Sequence, residues 1–191
     1  SEVGKQVAAF GGHKVMIVYG KKGGHIETSG LLDLVHKSLS DAGLSYVDLN
    51  GVVPNPRLSL VKEGIRIGRT EGVDFLLPIG GGSVIDTAKG IGYGIANDFE
   101  MEDLLYGRVK TDKNLPIGVI LTIAAAGSEM SSSMVLTIED GMMKRSYGHD
   151  CARPRFAIMN PKLTYSLSAY QTASGAADIM MHTMERYFTP T

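Results

Sequence analysis

The chain is poor in cysteine: Cys151 stands alone among 191 residues, so no internal disulfide can staple the fold, and a reducing compartment suits it. It has almost no net charge, with Lys+Arg 19 against Asp+Glu 20. That excludes the global field that draws proteins to nucleic acid or to an anionic membrane. Long hydrophobic runs are missing too. The longest mostly apolar stretch, residues 117–127, contains glycines and a threonine, and it falls short of the ~18 residues a bilayer span needs. The opening Ser1-Glu2-Val3-Gly4-Lys5 lacks the charged-then-apolar order of a secretory signal. The expectation is a cytoplasmic protein with neither nucleic acid nor membrane as a partner.

Glycine, by contrast, is abundant: 24 of 191 residues, where an average of about 7% would supply roughly half as many. With 43% of residues hydrophobic, these glycines do not form a disordered linker. They belong where the backbone must approach something closely. The length exceeds the roughly 150 residues typical of one domain, which suggests one full domain and a remainder.

Val15-Met16-Ile17-Val18-Tyr19 reads as a strand buried on both faces. Leu31, Leu32, Val35 and Leu39 then recur at helical spacing, stopped near Gly43, and residues 45–49 read as a second strand. Val53-Pro54-Asn55-Pro56 forces a loop, since each proline moves its predecessor out of the helical region. A helix over 58–70 follows, then a strand over 73–79 whose Pro78 belongs near the strand's end or at an irregularity in the ladder. A helix over 84–95 and a strand over 117–123 complete a βαβαβαβ order. Strands joined by helices of this length require a parallel sheet with helices on both faces, an α/β fold. Residues 134–138 and 155–159 read as two more strands, with Glu139-Asp140-Gly141 as a turn between them. From 168 onward a capping box, Ser168-x-x-Gln171, opens a long helix to Phe188.

Two places carry chemistry. In Ile79-Gly80-Gly81-Gly82-Ser83-Val84-Ile85-Asp86-Thr87-Ala88-Lys89, three glycines separate a buried strand from a helix. A pyrophosphate fits there, because the first amides of a helix have no partner within it and favour an anion. The motif is neither the Rossmann fingerprint, since Ile85 stands where glycine or alanine is needed, nor a P-loop, since Lys89 lies too far along the helix. In the last helix, Asp178 and His182 are four residues apart, so a carboxylate and an imidazole share one face at metal-ligand spacing. Glu185 follows on that face, and Met180, Met181 and Met184 read as packing residues.

The run 80–89, Val53-Pro54-Asn55-Pro56-Arg57, Leu121-Thr122-Ile123-Ala124-Ala125-Ala126-Gly127-Ser128-Glu129, and Gly175-Ala176-Ala177-Asp178 with His182 and Glu185 resemble the iron-containing (group III) alcohol dehydrogenases. The resemblance is to the NAD(P)H-dependent butanol dehydrogenase branch. It implies that Gly81, Gly82 and Ser83 hold the pyrophosphate, with Asp86 beside it and Asn55 near the cofactor. It implies that Thr122, Ser131 and Ser133 line the nicotinamide side, and that Lys144 lies near its ribose. Asp178 and His182 match the first two ligands of a divalent metal, Fe2+ or Zn2+. The resemblance implies two further histidine ligands from a following helical domain, outside these 191 residues, and a threonine where this sequence has Ala126.

The expected organisation is therefore an α/β dinucleotide-binding domain over 1–162 and the start of a truncated helical metal-binding domain over 163–191. The expected reaction is hydride transfer between NAD(P)H and a small aldehyde or primary alcohol such as butanal or butanol, with the 191 residues alone inactive. A homodimer is compatible with it. Gly20-Lys21-Lys22 at the end of the first strand favours NADP over NAD, because two lysines attract a 2'-phosphate. The alternatives are a cyclase of the dehydroquinate synthase type, also dependent on NAD and a metal, and a non-enzymatic nucleotide-binding module.

Overall fold

The computed structural model describes residues 2–189. Ser1, Pro190 and Thr191, at the outer ends of the two expected domains, lie outside the described residues. The chain forms α1 (Val3–Ala9), β1 (Lys14–Tyr19), α2 (His25–Thr28), α3 (Leu31–Asp41), β2 (Ser45–Leu49), α4 (Leu58–Glu71) and β3 (Phe75–Gly80). It continues through α5 (Gly82–Ala96), α6 (Met101–Leu105), β4 (Gly118–Leu121), β5 (Ser133–Ile138), β6 (Met143–Gly148), β7 (Phe156–Ile158) and α7 (Ala169–Phe188).

Five strands form a parallel sheet in the order β2-β1-β3-β4-β7. Alternation along β1 divides its side chains between two cores. Val15, Ile17 and Tyr19 pack with Val3, Val7, Val35 and Leu39 of α1 and α3. Met16 and Val18 pack with Val61, Ile85, Ala88 and Ile91 of α4 and α5. Each fully buried aliphatic side chain stabilises the fold by about 1.5–3 kcal/mol, so a strand apolar on both faces belongs at the centre of the sheet. The expectation of a parallel sheet covered on both sides holds.

Pro78 supplies its irregularity between β3 and β4. Their pairing is an isolated Leu76–Ile117 bridge and then a ladder at Ile79–Ile120 and Gly80–Leu121, and the gap falls at the residue without an N–H. Helices α4 and α5 pack through glycine. A Cβ at Gly64 would meet the Ile91 side chain at 2.5 Å, and one at Gly94 would meet Ile65 Cγ1 at the same distance.

Both late strands form, as β5 and β7, but the sequence analysis did not identify β6 between them. β5 pairs antiparallel with β6, from Ser133–Gly148 to Ile138–Met143, while β7 joins the main sheet beside β4. The turn falls where expected, as a short 3-10 helix at Asp140–Met142. β6, Met-Lys-Arg-Ser-Tyr-Gly, is almost wholly exposed and carries no apolar alternation to reveal it.

Candidate functional site

The chain leaves β1 for β2 on one side and reaches β3 on the other. The carboxyl ends of β1 and β3 therefore flank the topological switch point, where open α/β sheets form their ligand crevice. Gly20 ends one wall and Gly80-Gly81-Gly82 the other. Gly81 caps α5 with no side-chain hydrogen bond, and its carbonyl accepts the amides of Val84 and Ile85 at 3.0 and 3.1 Å. The amides of Gly82 and Ser83, one turn earlier, have no acceptor within the helix. The glycines serve different ends. A Cβ at Gly81 would run into Ile123 Cγ2, whereas one at Gly82 would meet nothing within 4 Å. The open approach is thus over Gly82, and Gly81 is small to admit Ile123.

About one helical turn along α5 from this corner, Asp86 borders a cleft of about 770 Å³ together with Ser131 and Ser133, Arg153, and His182 and Arg186 of α7. Two of the expected nicotinamide-side residues and one expected metal ligand thus face a common space. Asp86 is tied into the wall: Oδ1 accepts from Ser128 Oγ at 2.7 Å and Oδ2 from Val135 N at 2.9 Å. Burial pushes its carboxyl above the usual carboxylate range, against the pull of those two bonds and of Lys89.

The loop after β1 contains a carboxylate that the sequence reading did not identify. Glu27 accepts from Tyr19 Oη at 3.0 Å and from Gly23 N at 2.7 Å. Burial and then the Glu27 bond push the Tyr19 hydroxyl up to about 12. Lys21 and Lys22 stay exposed on the same loop. Asn55 occupies the left-handed region at φ 57, a conformation asparagine tolerates better than most residues with a Cβ. Proline has moved it out of the right-handed helix, as expected, though not into extended backbone. The carbonyl of Pro56 accepts from Thr137 N at 2.8 Å, tying this loop to β5.

Other expected site residues are dispersed. Thr122 donates its amide to Gly80 O at 3.1 Å, but borders a separate 310 Å³ pocket with Ile26, Leu163 and Tyr165. Lys144, opposite Thr137 in the hairpin, is exposed and does not line the cleft.

On α7, His182 Nε2 and Asp178 Oδ1 lie 3.7 Å apart, both about half exposed. Carboxylate and imidazole are donors that a divalent cation accepts, and their convergence fits part of a coordination sphere. Among the described residues, no third His, Cys, Asp or Glu joins them to hold a metal. Ser168 caps this helix by accepting Gln171 N at 3.2 Å, one half of the expected box. The helix face is unusually bare, with Met180 and Met181 each 62% exposed. These methionines do not pack inside a core as expected.

The sequence reading also missed Ser128, Arg153 and Arg186. Ser128 stood in a quoted motif, but no local pattern marks the two arginines, which reach the cleft only through the tertiary fold.

Comparison with known proteins gives a consistent result. The family model described as iron-containing alcohol dehydrogenase matches residues 1–161. The NADH-dependent butanol dehydrogenase A of Clostridium acetobutylicum is 41% identical over 187 residues, 98% of this chain and 47% of that protein. The NADPH-dependent aldehyde reductase YqhD of Escherichia coli is 34% identical over 180 residues, 92% of this chain and 45% of that protein. Among solved structures, NADH-dependent butanol dehydrogenase A from Thermotoga maritima superposes with a TM-score of 0.94 at 36% identity, covering 98% of this chain and 46% of that one. The chain spans about half the length of the curated relatives it matches.

Proposed function

The chain belongs to the iron-containing alcohol dehydrogenases, and from that membership we propose that it is the dinucleotide-binding part of an oxidoreductase that moves hydride between NAD(P)H and an aldehyde or primary alcohol. The observation that carries the reading is the open corner at Gly82. Two amides without helical acceptors and a helix N-terminus meet there at the sheet's switch point, next to a cleft that His182 also borders.

In this reading the backbone at Gly82 and Ser83 binds the pyrophosphate, Gly81 lets the corner close on Ile123, and Asn55 flanks the cofactor. Asp86 stands beside the pyrophosphate, and Ser131 and Ser133 line the nicotinamide side. Lys144 reaches the ribose only if the hairpin moves toward the cleft. Thr122, expected on the nicotinamide side, borders a pocket separate from that cleft. Asp178 and His182 hold a divalent metal, iron by family membership, which when bound supplies a Lewis acid to polarise the substrate carbonyl. Residues 163–191 belong to the helical part that completes the metal site, and 1–162 to the nucleotide part. Lys21 and Lys22 support NADP(H), and butanal or a similar small aldehyde is the substrate class.

With two ligands in hand, the 191-residue chain binds dinucleotide and turns over little or nothing. Its cytoplasmic placement rests on the lone cysteine, Cys151. Among the described residues no helix is long and apolar enough to cross a membrane. The matched family gives no support to the cyclase alternative.

The test is a melting experiment. A ligand that binds only the folded chain at 100 times its Kd adds about 2.7 kcal/mol of stability. NADPH or NADH is expected to raise the melting temperature and ATP is not. Equal shifts with ATP and NADPH overturn the reading, as does butanal reduction by this chain at about 10 per second for the claim of inactivity.

A further inference from the structure

We propose that Lys89 is a positioning residue of the cleft: acting through Ser128 and Ser133, it holds segment 127–133 in the shape that the bound dinucleotide requires. The ligand in this statement rests on the functional reading above; the residue rests on geometry alone.

Lys89 is fully buried, 0% exposed, on the side of α5 that packs against β5. An ammonium group has three N–H donors and no acceptor, and all three are used. Nζ donates to Ser128 O at 2.9 Å, to Ser128 Oγ at 3.0 Å and to Ser133 O at 2.8 Å. The Ser128 hydroxyl gives its own proton to Asp86 Oδ1. One serine therefore stands between a buried cation and a largely buried carboxylate, accepting from the first and donating to the second. Asp86 completes the tie by accepting Val135 N. Every one of these bonds reaches the segment from Ser128 to Val135, and the outer side of that segment, with Ser131 and Ser133, borders the cleft. Arg153 pins its middle by donating to Met130 O at 2.6 Å.

A methionine of similar reach would fill the volume without the cost of removing a charge from water. What it could not do is bind two backbone carbonyls five residues apart and the Ser128 hydroxyl. The ammonium thus sets the curvature of the wall. It is also sensitive to its proton, since a neutral amine has only two donors for the same three acceptors. The charged groups around it are Asp86 on its own helix, Glu129 in the clamped segment and Arg153 beyond β6, and β5 contributes no titratable side chain. Burial pulls Lys89 down to about 8 against the two carboxylates, so the third bond is lost within an accessible pH range.

Two properties then move in opposite directions with pH. The folded value lies below that of an unfolded lysine, about 10.4. Folding therefore binds fewer protons between about pH 8 and 10.4, and the unliganded chain gains stability from Lys89 as pH rises through that window. Dinucleotide affinity falls over the same window as the clamp loses a donor. A merely structural lysine would not separate the two.

The experiment measures NADPH and NADH affinity of the 191-residue chain by fluorescence from about pH 7 to 9.5, with melting of the unliganded chain and hydrogen exchange of 127–135 at each pH. Removing a charge-assisted clamp is worth roughly tenfold. The unsubstituted chain is expected to lose about that factor in affinity across the range while its melting temperature does not fall. Lys89→Met is expected to bind about tenfold more weakly at every pH with no trend, and to exchange faster in 127–135. Ser128→Ala keeps the lysine and its two carbonyl bonds, and covers the case in which Lys89→Met fails to fold. With one acceptor fewer for the ammonium, its affinity trend is expected at lower pH. Unchanged exchange and an unchanged pH trend in the variants overturn the proposal. If the unsubstituted chain binds neither dinucleotide, the functional reading fails, and the exchange data alone decide whether Lys89 shapes the segment.

Discussion

Glu27 Oε2 accepts the Gly23 amide at 2.7 Å while Oε1 accepts the Tyr19 hydroxyl, so a fixed negative charge sits inside the loop that also carries Lys21 and Lys22. The two lysines attract a 2'-phosphate and the carboxylate repels it. Glu27→Gln keeps an acceptor for Gly23 and removes the charge. A unit charge about 4 Å away in water contributes on the order of 1 kcal/mol, so the variant is expected to gain about five- to tenfold in NADPH affinity relative to NADH. Replacing both lysines by alanine is expected to shift the ratio the other way. A ratio that ignores both changes means the 2'-position lies elsewhere.

The glycine corner predicts a split between two neighbours. Gly82→Val places a side chain in open space, where surface changes stay within about 0.5 kcal/mol, yet it blocks the anion's approach and is expected to cost at least about tenfold in dinucleotide affinity. Gly81→Ala drives a methyl into Ile123 and is expected to cost about 1 kcal/mol of stability through overpacking. Melting and titration of the two variants check this. Full affinity in Gly82→Val removes the pyrophosphate from this corner.

Calorimetry with Zn2+ or Fe2+ tests α7. With a two-donor site, weak binding in the range of about 10–100 μM is expected, and loss of either Asp178 or His182 to alanine is expected to weaken it by roughly tenfold. Binding unaffected by both substitutions places the metal away from this pair.

Helix propensity and packing oppose one another at Gly94. Alanine in place of glycine within a helix normally stabilises by about 1 kcal/mol. Here its methyl would enter the Ile65 side chain, and overpacking of about 1–3 kcal/mol wins. Gly94→Ala is expected to melt lower than the unsubstituted chain, and a higher melting temperature contradicts the close α4–α5 contact.

What sequence could disclose followed the strength of local pattern. β1 and β2 were legible because apolar spacing and turn residues agree over 15–19 and 45–49, and α7 because Ser168 announces its start. β6 was not, since its exposed polar residues obey no alternation, and the true partner of β5 was lost with it. The same limit governs the site. Three glycines in a row advertise a close approach, whereas the carboxylate of Glu27 reaches its loop only because a short helix folds back on Gly23. Arg153 and Arg186, far from the glycine run, border the same cleft as Asp86 by tertiary placement alone. Nor could spacing distinguish the roles of Gly81 and Gly82, which depend on Ile123 just past the end of the neighbouring strand β4.

The bareness of α7 has a kinetic corollary. Of its 20 residues only Gly175 is buried, and a helix with so little tertiary packing opens at low free-energy cost. Its amides should trade deuterium far sooner than those of α5, whose inner turns are sealed on the sheet. A molecule that spans the space between Asp86 and His182 would therefore announce itself as a slowing of exchange along α7, without any label on the ligand.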